Sequence, residues 1–239
     1  MKHIGIAAIT AVGAALVYKQ ICLRAMQRTG SYRHPEISLH SFSFSEHLQP
    51  DEAHRREQWA ELMTQSALKL HGAGADFMIC PSNSPHDVYD AVAPSLPLPW
   101  LHIVSAACGQ ARSMRVTRAL LLGTHFTLES RMYDEPFSRD GIEIVRPSGQ
   151  ETAQVHQCIT RELIHDRASH TAKAFFAELI EKYARRDVDA VILGCTELPL
   201  VIDTQRCRLP VIDTTAALAD AAVAHALDAG APDDTAHTP

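Results

Sequence analysis

Short apolar runs alternate with longer amphipathic segments along the 239-residue chain. The short runs predict buried strands, because a strand covered by helices on both faces is apolar at nearly every position. We predict strands at 3–8, 36–42, 76–80, 100–103, 116–122, 142–145, 189–193 and 210–212. The amphipathic segments predict helices at 14–28, 50–72, 84–93, 105–112, 127–138, 150–165, 168–186, 197–203 and 214–227. This alternation is typical of an α/β fold with parallel sheets and helices on both faces.

The first apolar segment allows two interpretations. A basic start followed by the apolar run Ile4–Val17 imitates a secretory signal peptide. Alternatively, Ile4–Ala8 forms a buried strand, and a turn of small residues leads into a helix at about 14–26. We favour the strand and helix, because the apolar face continues past Ile21 and does not stop at a cleavage site. No apolar stretch is long enough to span a membrane.

Two parts of the chain resemble one another. The segment Asp76–Ser82 resembles Asp189–Cys195, and Leu98–His102 resembles Leu209–Asp213. The first strand and the strand that ends at Gly123 form a third pair, and all three pairs are separated by nearly the same number of residues. Similar segments in the same order predict two similar α/β halves.

The repeat places Ser82 and Cys195 at equivalent positions, each just after a strand. Open parallel sheets bind ligands at the carboxyl ends of their strands. If a pseudo-twofold axis relates the halves, equivalent strand ends face one another and these two residues flank one cleft. Cys80 lies two residues before Ser82, still on its strand, and we expect it to be buried. The repeat therefore selects Ser82, and not Cys80, as the partner of Cys195.

The segment Leu193–Glu197 carries the most specific chemistry. Gly194 permits a tight strand-to-helix turn, which would leave Cys195 at a helix N-terminus. Free N–H groups and the helix dipole would there lower the pKa of the thiol. Thr196 can cap the helix and donate a hydrogen bond to a bound carboxylate. The alternative is a buried core cysteine, which is a common fate of this residue.

Several polar residues fall at predicted strand-to-helix turns, where backbone N–H groups suit a small carboxylate. They are Thr10, Asn83, Ser84, Thr124 and Thr196. Each alone is more often a helix cap, and it is their convergence that the repeat predicts. His86 and Glu197 lie near the same turns and could tune or relay protons. His86 could equally have a packing or capping role, and Glu197 near a helix N-terminus is favoured whatever its function.

Composition narrows the function classes. The formal charge is −6 and the basic residues are scattered, which indicates no nucleic-acid surface. The six cysteines form no CxxC pair and indicate reduced thiols of a cytoplasmic protein. No metal-ligand spacing, dinucleotide fingerprint, P-loop or Schiff-base lysine context is present, so we expect no metal and no cofactor.

At these motifs the sequence resembles the cofactor-independent aspartate/glutamate racemase superfamily, over about residues 2–227. The resemblance is carried by the first turn and by Asn83–His86, Leu122–Thr124, Gly194–Glu197 and Asp213–Thr215. The sequence Gly-Cys-Thr-Glu resembles the aspartate racemase branch.

The resemblance implies two pseudo-symmetric Rossmann-like halves with parallel sheets and an active site in the cleft between them. The first half would comprise residues 1–105 plus 212–239, and the second 106–211. Many family members are dimers, so a homodimer is implied. Residues 229–239 are rich in alanine, aspartate, threonine and proline, and we expect them to be disordered.

The resemblance further implies racemisation of a small acidic amino acid, such as aspartate, glutamate or a close analogue. In two-cysteine members one thiolate removes the α-proton and the other thiol returns a proton to the opposite face. Cys195 matches one of those cysteines, and Ser82 stands in place of the other. A serine hydroxyl has too high a pKa to act as a free base near neutrality, so it would need an activating base, a relay or a water.

This departure leaves three outcomes open: a slow or specialised racemase, a single-cysteine decarboxylase or cis–trans isomerase of a small dicarboxylate, or a carboxylate-binding relative with little activity. The first turn also departs, because Ala7–Thr10 stands where close relatives often have Gly-Gly-Met-Ser. Thr10 can replace the serine hydroxyl, while the alanines narrow the space for a ligand. Tyr133 resembles a cleft position in relatives, and Trp59 is interpreted as a packing residue.

Overall fold

The structure is a computed structural model that describes residues 1–48 and 52–228. Its strands are β1 (Ile4–Ala8), β2 (Ile37–Ser41), β3 (Phe77–Ile79), β4 (Trp100–Leu101), β5 (Arg118–Leu122), β6 (Glu143–Val145), β7 (Ala190–Leu193) and β8 (Val211–Asp213). Its α-helices are α1 (Ala11–Thr29), α2 (Glu52–Gly72), α3 (Tyr89–Val92), α4 (Ile103–Ser113), α5 (His125–Glu129), α6 (Asp134–Arg139), α7 (Gly149–Arg161), α8 (His170–Ala184) and α9 (Thr214–Leu227). The predicted disorder of 229–239 concerns residues outside the described part.

The strands form two four-stranded parallel sheets in the described residues, in the orders β2-β1-β3-β4 and β6-β5-β7-β8. The two orders are the same once β1 is matched with β5 and β3 with β7. All strand pairs in both sheets are parallel. The predicted α/β fold with two similar halves is confirmed.

Burial on both faces explains why the strands are continuous apolar runs. Every residue of β1 is buried, as its sequence predicts. Ile4 and Ile6 face a core that lies between the sheets, whereas Ala7 points to the other face and packs with Trp59 of α2. The interpretation of residues 4–8 as a strand followed by a helix is therefore confirmed. No helix of residues 1–48 and 52–228 is long and apolar enough to cross a membrane.

One apolar core joins the two sheets. It contains Ile6 and Ile79 from the first sheet, Leu121 and Ile192 from the second, and residues of α1, α4 and α9 between them. Separate cores lie on the outer faces, against α2 on the first sheet and against α7 and α8 on the second. The cleft between the sheets therefore lies over this shared apolar core.

The end of the chain crosses between the sheets. β8 pairs with β7 in the second sheet, and α9 then packs against α1 and α4. The predicted boundary between residues 211 and 212 falls inside β8, so the crossing occurs after Asp213. The division into 1–105 plus 212–239 and 106–211 stays a prediction.

Three predicted helices differ from the observed elements. The segment predicted as helix 127–138 is two short helices, α5 and α6, because Arg146 Nε donates to the Leu128 carbonyl at 2.9 Å and satisfies the end of α5. The predicted helix 84–93 begins as a 3₁₀ segment, Ser84–Val88. The predicted helix 197–203 is only a 3₁₀ turn, Leu198–Leu200, with Pro199 inside it.

Candidate active site

A cavity of about 300 Å³ lies where the inner strands of both sheets end. Thr10 follows β1, Ser82 follows β3, Thr124 follows β5 and Cys195 follows β7, and all four line the cavity. Equivalent strand ends of the two sheets therefore face one cavity, as the repeat predicts. Its volume lies at the lower end of the range for ligand pockets, roughly 300–1,000 Å³, and suits one small molecule.

The cavity brings together all but one of the residues predicted for the site. Its lining includes Thr10, Ser82, Asn83, Ser84, Thr124, Cys195, Thr196 and Glu197. His86 lies outside it, buried beneath the turn after β3, with Nε2 3.1 Å from the Cys80 carbonyl oxygen. It packs against Trp100 and His102, and burial holds its pKa well below the ordinary value. His86 therefore has the packing role that the sequence left open.

Glu197 is the centre of a buried hydrogen-bond network. Its carboxylate is 1% exposed and accepts the Thr10 hydroxyl at 2.7 Å, the Thr196 hydroxyl at 2.8 Å and the Cys195 thiol at 3.0 Å. Burying a carboxylate is costly unless donors satisfy it, and these three side chains supply them. Thr10 and Thr196, which we expected to donate to a substrate, use their hydroxyl protons to hold Glu197.

The predicted lowering of the Cys195 pKa is wrong. Burial raises the pKa of this thiol well above its ordinary value, and the neighbouring Glu197 carboxylate raises it further. Only a 3₁₀ turn, Leu198–Leu200, follows the cysteine, so no α-helix dipole lowers the pKa. Backbone N–H groups of Thr196 and Glu197 oppose the shift without reversing it. At neutral pH the resting thiol is protonated and lies against a carboxylate that can accept its proton.

Two glycines are required by close packing around this network. A Cβ at Gly194 would lie 2.9 Å from the Leu122 carbonyl oxygen, to which the Gly194 N–H donates at 2.7 Å. A Cβ at Gly13, in the first turn of α1, would lie 2.8 Å from Thr196 Oγ1 and 2.9 Å from Thr10 Oγ1. Gly194 is thus needed for the approach of β7 to β5, and not for the strand-to-helix turn that we predicted.

Ser82 lies on the turn that follows β3. In residues 1–48 and 52–228 no side chain forms a hydrogen bond with its hydroxyl, and the Cys80 thiol contacts its carbonyl oxygen at 3.6 Å. Cys80 itself is fully buried, and burial raises its pKa to about 12. The prediction that Cys80 is buried is confirmed, and its thiol contributes to the turn that carries Ser82.

Asn83 links this turn to the second sheet. The Tyr133 hydroxyl donates to Asn83 Oδ1, and Asn83 Nδ2 donates to Thr214 Oγ1 at 3.0 Å. The Thr214 hydroxyl in turn donates to the Leu193 carbonyl at 2.8 Å, at the end of β7. Asn83, Tyr133 and Thr214 are all buried. The Asn83 amide therefore positions the turn after β3 relative to the turn that carries Cys195.

Hydroxyl groups remain available on one side of the cavity. Thr127 Oγ1 lies 3.3 Å from Ser84 Oγ and 3.5 Å from Thr124 Oγ1. Hydrogen bonds between hydroxyls normally have a length of about 2.7–2.8 Å, so these long contacts are weak. The three hydroxyls can therefore rotate towards a bound carboxylate at little cost.

The rest of the lining is mostly apolar and was not predicted from the sequence. It includes Ile9, Phe44, His47, Leu48, Trp59, Phe126, Ile159 and Ile164. Trp59 and Phe126 meet edge to face, with ring centroids 6.2 Å apart. Trp59, interpreted as a packing residue, is buried and also lines the cavity. The sequence does not distinguish these residues from core residues, because an apolar cavity wall and a core have the same sequence pattern.

Fold and site together define an α/β protein with a cavity of small-molecule size between two similar parallel sheets. The family model described as Asp/Glu/Hydantoin racemase matches residues 8–222 of the chain. The chain belongs to this family, and it is an isomerase of the racemase class.

Individual relatives agree with the family. The chain is 29% identical over 167 residues to the broad specificity amino-acid racemase RacX of Bacillus subtilis (strain 168), which covers 70% of this chain and 72% of the relative. An aspartate racemase homologue from Pyrococcus horikoshii OT3 superposes with a TM-score of 0.79 at 29% identity, over 95% of this chain and 99% of that chain. The Picrophilus torridus aspartate racemase shares the fold, with a TM-score of 0.74 at 19% identity, over 95% of this chain and 94% of that one.

Proposed function

We propose that this enzyme racemises α-amino acids without a cofactor, with Cys195 on one face of the substrate and Ser82 on the other. One observation carries the proposal: the two residues follow equivalent strands of facing sheets and line one small cavity. The name of the B. subtilis relative, a broad specificity amino-acid racemase, supports an amino acid as the substrate. The homodimer and the cytoplasmic location remain predictions from the sequence.

Proton removal begins at the Cys195–Glu197 pair. The thiol transfers its proton to the Glu197 carboxylate at 3.0 Å, and the resulting thiolate takes the α-proton of the substrate. The electron pair left on Cα is delocalised into the substrate carboxylate. Hydrogen bonds from the hydroxyls of Ser84, Thr124 and Thr127 stabilise that developing charge.

Ser82 completes the reaction as the proton donor on the opposite face. Its hydroxyl gives a proton to the carbanion. Water must then return a proton to the Ser82 alkoxide while Glu197 releases to water the proton that it took from Cys195, because no basic side chain bonds to the Ser82 hydroxyl in the described residues. Removal of an α-proton by Ser82 would be slow for the same reason. A one-thiol reaction, the decarboxylation or cis–trans isomerisation of a small dicarboxylate, is the second candidate that this observation favours.

Exchange of the α-proton for deuterium in D₂O tests the proposal. It is measured on both enantiomers of each amino acid that is offered as substrate. Deuterium at Cα with optical inversion supports racemisation. Exchange of one enantiomer without inversion identifies a base on one face only. Absence of exchange, together with turnover of maleate or a substituted malonate, supports the second candidate and contradicts the first.

Substitution of the two cysteines gives a matched pair of variants. We expect Cys195→Ala to lower the exchange rate by about 10²–10⁴-fold or more, which is the usual contribution of a general acid–base group. Cys80→Ala removes a buried thiol outside the reaction and should leave the rate within a few-fold of the unmodified enzyme. A Cys195→Ala variant that retains full exchange would contradict the mechanism.

A further inference from the structure

The cavity offers no permanent cation to a carboxylate on the substrate side chain. In the described residues its lining contains neither lysine nor arginine, and residues 49–53 and 229–239 contain neither in their sequence. Arg55 stacks on the Phe126 ring at 4.2 Å and lines a neighbouring cleft. An acidic side chain would therefore lose its water without gaining an opposite charge.

The existing charge in the cavity adds to this penalty. Glu197 is a buried carboxylate that lines the same space, and it already accepts hydrogen bonds from Thr10, Thr196 and Cys195. A second carboxylate in the same low-dielectric space would be repelled by Glu197. The α-ammonium group that every amino acid carries would instead be attracted to it.

The wall of the cavity is suited to an apolar side chain. Phe44, Trp59, Phe126 and Ile164 line it, and Leu48 is 57% exposed although it is a large apolar residue. The Trp59 Nε1 group donates to the His47 carbonyl at 3.4 Å, so the polar edge of the indole is engaged by the backbone. The rings and methyl groups that remain offer dispersion contacts and the burial of apolar surface.

His47 adds one neutral polar feature to this wall. His47 is 4% exposed and lines the cavity, and among the described residues neither ring nitrogen has a hydrogen-bond partner. Burial lowers its pKa below the ordinary value of 6.5, against the opposing charge of Glu46, so the ring is neutral at pH 7. A neutral imidazole has one donor and one acceptor and suits an uncharged polar group.

We propose that the side-chain part of this site selects amino acids with an uncharged, mainly apolar side chain, such as leucine, methionine or phenylalanine, over aspartate and glutamate. This inference rests on the proposed racemase function, since it names the substrate class of the same site. It replaces the acidic side chain that the family resemblance implied. The shared α-carboxylate and α-ammonium groups are bound near the strand ends, whereas the wall distinguishes the side chains.

Binding and exchange measured on the intact chain test the inference. L-methionine and L-glutamate have side chains of similar length, and L-leucine and L-aspartate form a second pair. We expect the neutral member of each pair to bind at least about 10-fold more tightly by calorimetry, and its kcat/KM for α-deuterium exchange to be about 100-fold higher, because of the unpaired buried charge.

The outcomes separate this inference from the proposed function. Tighter or equal binding of glutamate and aspartate overturns the inference, whether or not either exchanges. Failure of all four amino acids to bind also overturns it. Tighter binding of methionine and leucine without exchange supports the apolar subsite and contradicts the racemase function.

A cation introduced at the wall provides a second test. Leu48→Lys should raise the affinity for glutamate and lower that for methionine. The ratio of the methionine affinity to the glutamate affinity should therefore fall by about 10-fold or more. Leu68→Lys is the matched control, because Leu68 is 55% exposed on α2 and does not line the cavity. If Leu48→Lys leaves the ratio of the two affinities unchanged while Leu68→Lys behaves as the unmodified enzyme, the wall does not contact the side chain and the inference is overturned.

Discussion

At the scale of single residues, the proposed reactive group is a pair and not an isolated thiol. The Cys195 thiol donates a hydrogen bond to Glu197 Oε2 at 3.0 Å. Burial and the carboxylate both raise the pKa of Cys195. The thiolate therefore forms only as Glu197 takes up the proton or as the α-ammonium of a substrate stabilises the negative charge.

Glu197→Gln tests this charge coupling. The substitution keeps the shape of the side chain and removes the negative charge, so the pKa of Cys195 should fall. The pH dependence of alkylation by iodoacetamide, read by mass spectrometry on the peptide that contains Cys195, measures this shift. The midpoint of alkylation should move to lower pH in the variant.

Cys158 serves as the internal control, because it lies in α7, outside the cavity. Its alkylation profile should be the same in both proteins. An unchanged Cys195 profile would show that Glu197 does not influence the thiol, and the coupling of the pair would be rejected.

At the scale of elements, capping fixes the start of α7 behind the cavity. The Ser148 hydroxyl and backbone N–H donate to Glu151 at 2.7 and 2.9 Å, and Lys182 and the Tyr183 hydroxyl also bond to this carboxylate. Although burial opposes it, these hydrogen bonds, led by that from Lys182, lower the pKa of Glu151 to about 2. Helix α7 carries Ile159, which lines the cavity.

Glu151→Ala removes this cap and should lower the free energy of unfolding at pH 7 by about 1–2 kcal/mol. The folded-state pKa lies below the ordinary value of 4.5, so the stabilisation is complete above pH 4.5 and is lost as the pH falls towards 2. Urea unfolding at a series of pH values should therefore show a difference that shrinks in acid.

Glu143→Ala is the control for this prediction, because Glu143 forms an exposed ion pair with Arg118. Its loss should cost less than about 1 kcal/mol. A Glu151→Ala penalty that stays constant down to pH 2 would show that the carboxylate charge has no part in the cap.

At the scale of the whole molecule, buried hydrogen bonds connect the two sides of the site. Tyr133, Asn83, Thr214 and the Leu193 carbonyl form a continuous chain from the turn after β3 to the end of β7. The apolar core between the sheets supports this chain from below. These hydrogen bonds hold the turn after β3 against the end of β7 without touching Ser82 or Cys195.

Tyr133→Phe breaks the first link and leaves Asn83 Oδ1 buried without that donor. We expect a loss of about 1–3 kcal/mol in the free energy of unfolding, together with a lower kcat for exchange. Tyr89→Phe is the matched control, because the Tyr89 hydroxyl donates to the Trp100 carbonyl at 2.9 Å outside the cavity.

The Tyr89→Phe control should lose stability without a change in the kcat for exchange. If both variants lose stability and neither loses kcat, the Asn83 network stabilises the fold without positioning the turn after β3.

The repeated α/β halves, the buried strands and the turns that carry Ser82 and Cys195 could be predicted from the amino-acid sequence. Strand burial is encoded locally as continuous apolar runs, and the repeat places equivalent turns at equivalent strand ends. Tyr133 was noticed through a family resemblance, but its bond to Asn83 required the coordinates.

The electrostatics and the side-chain part of the site could not be predicted without the folded arrangement. The pKa of Cys195 depends on burial and on the distance to Glu197, which no spacing in the chain gives. The wall of Phe44, Trp59 and Phe126 comes from segments that are distant in sequence and as apolar as the core. Charge and shape in a cavity arise from groups that meet only after folding, whereas secondary structure and repeats follow from neighbours along the chain.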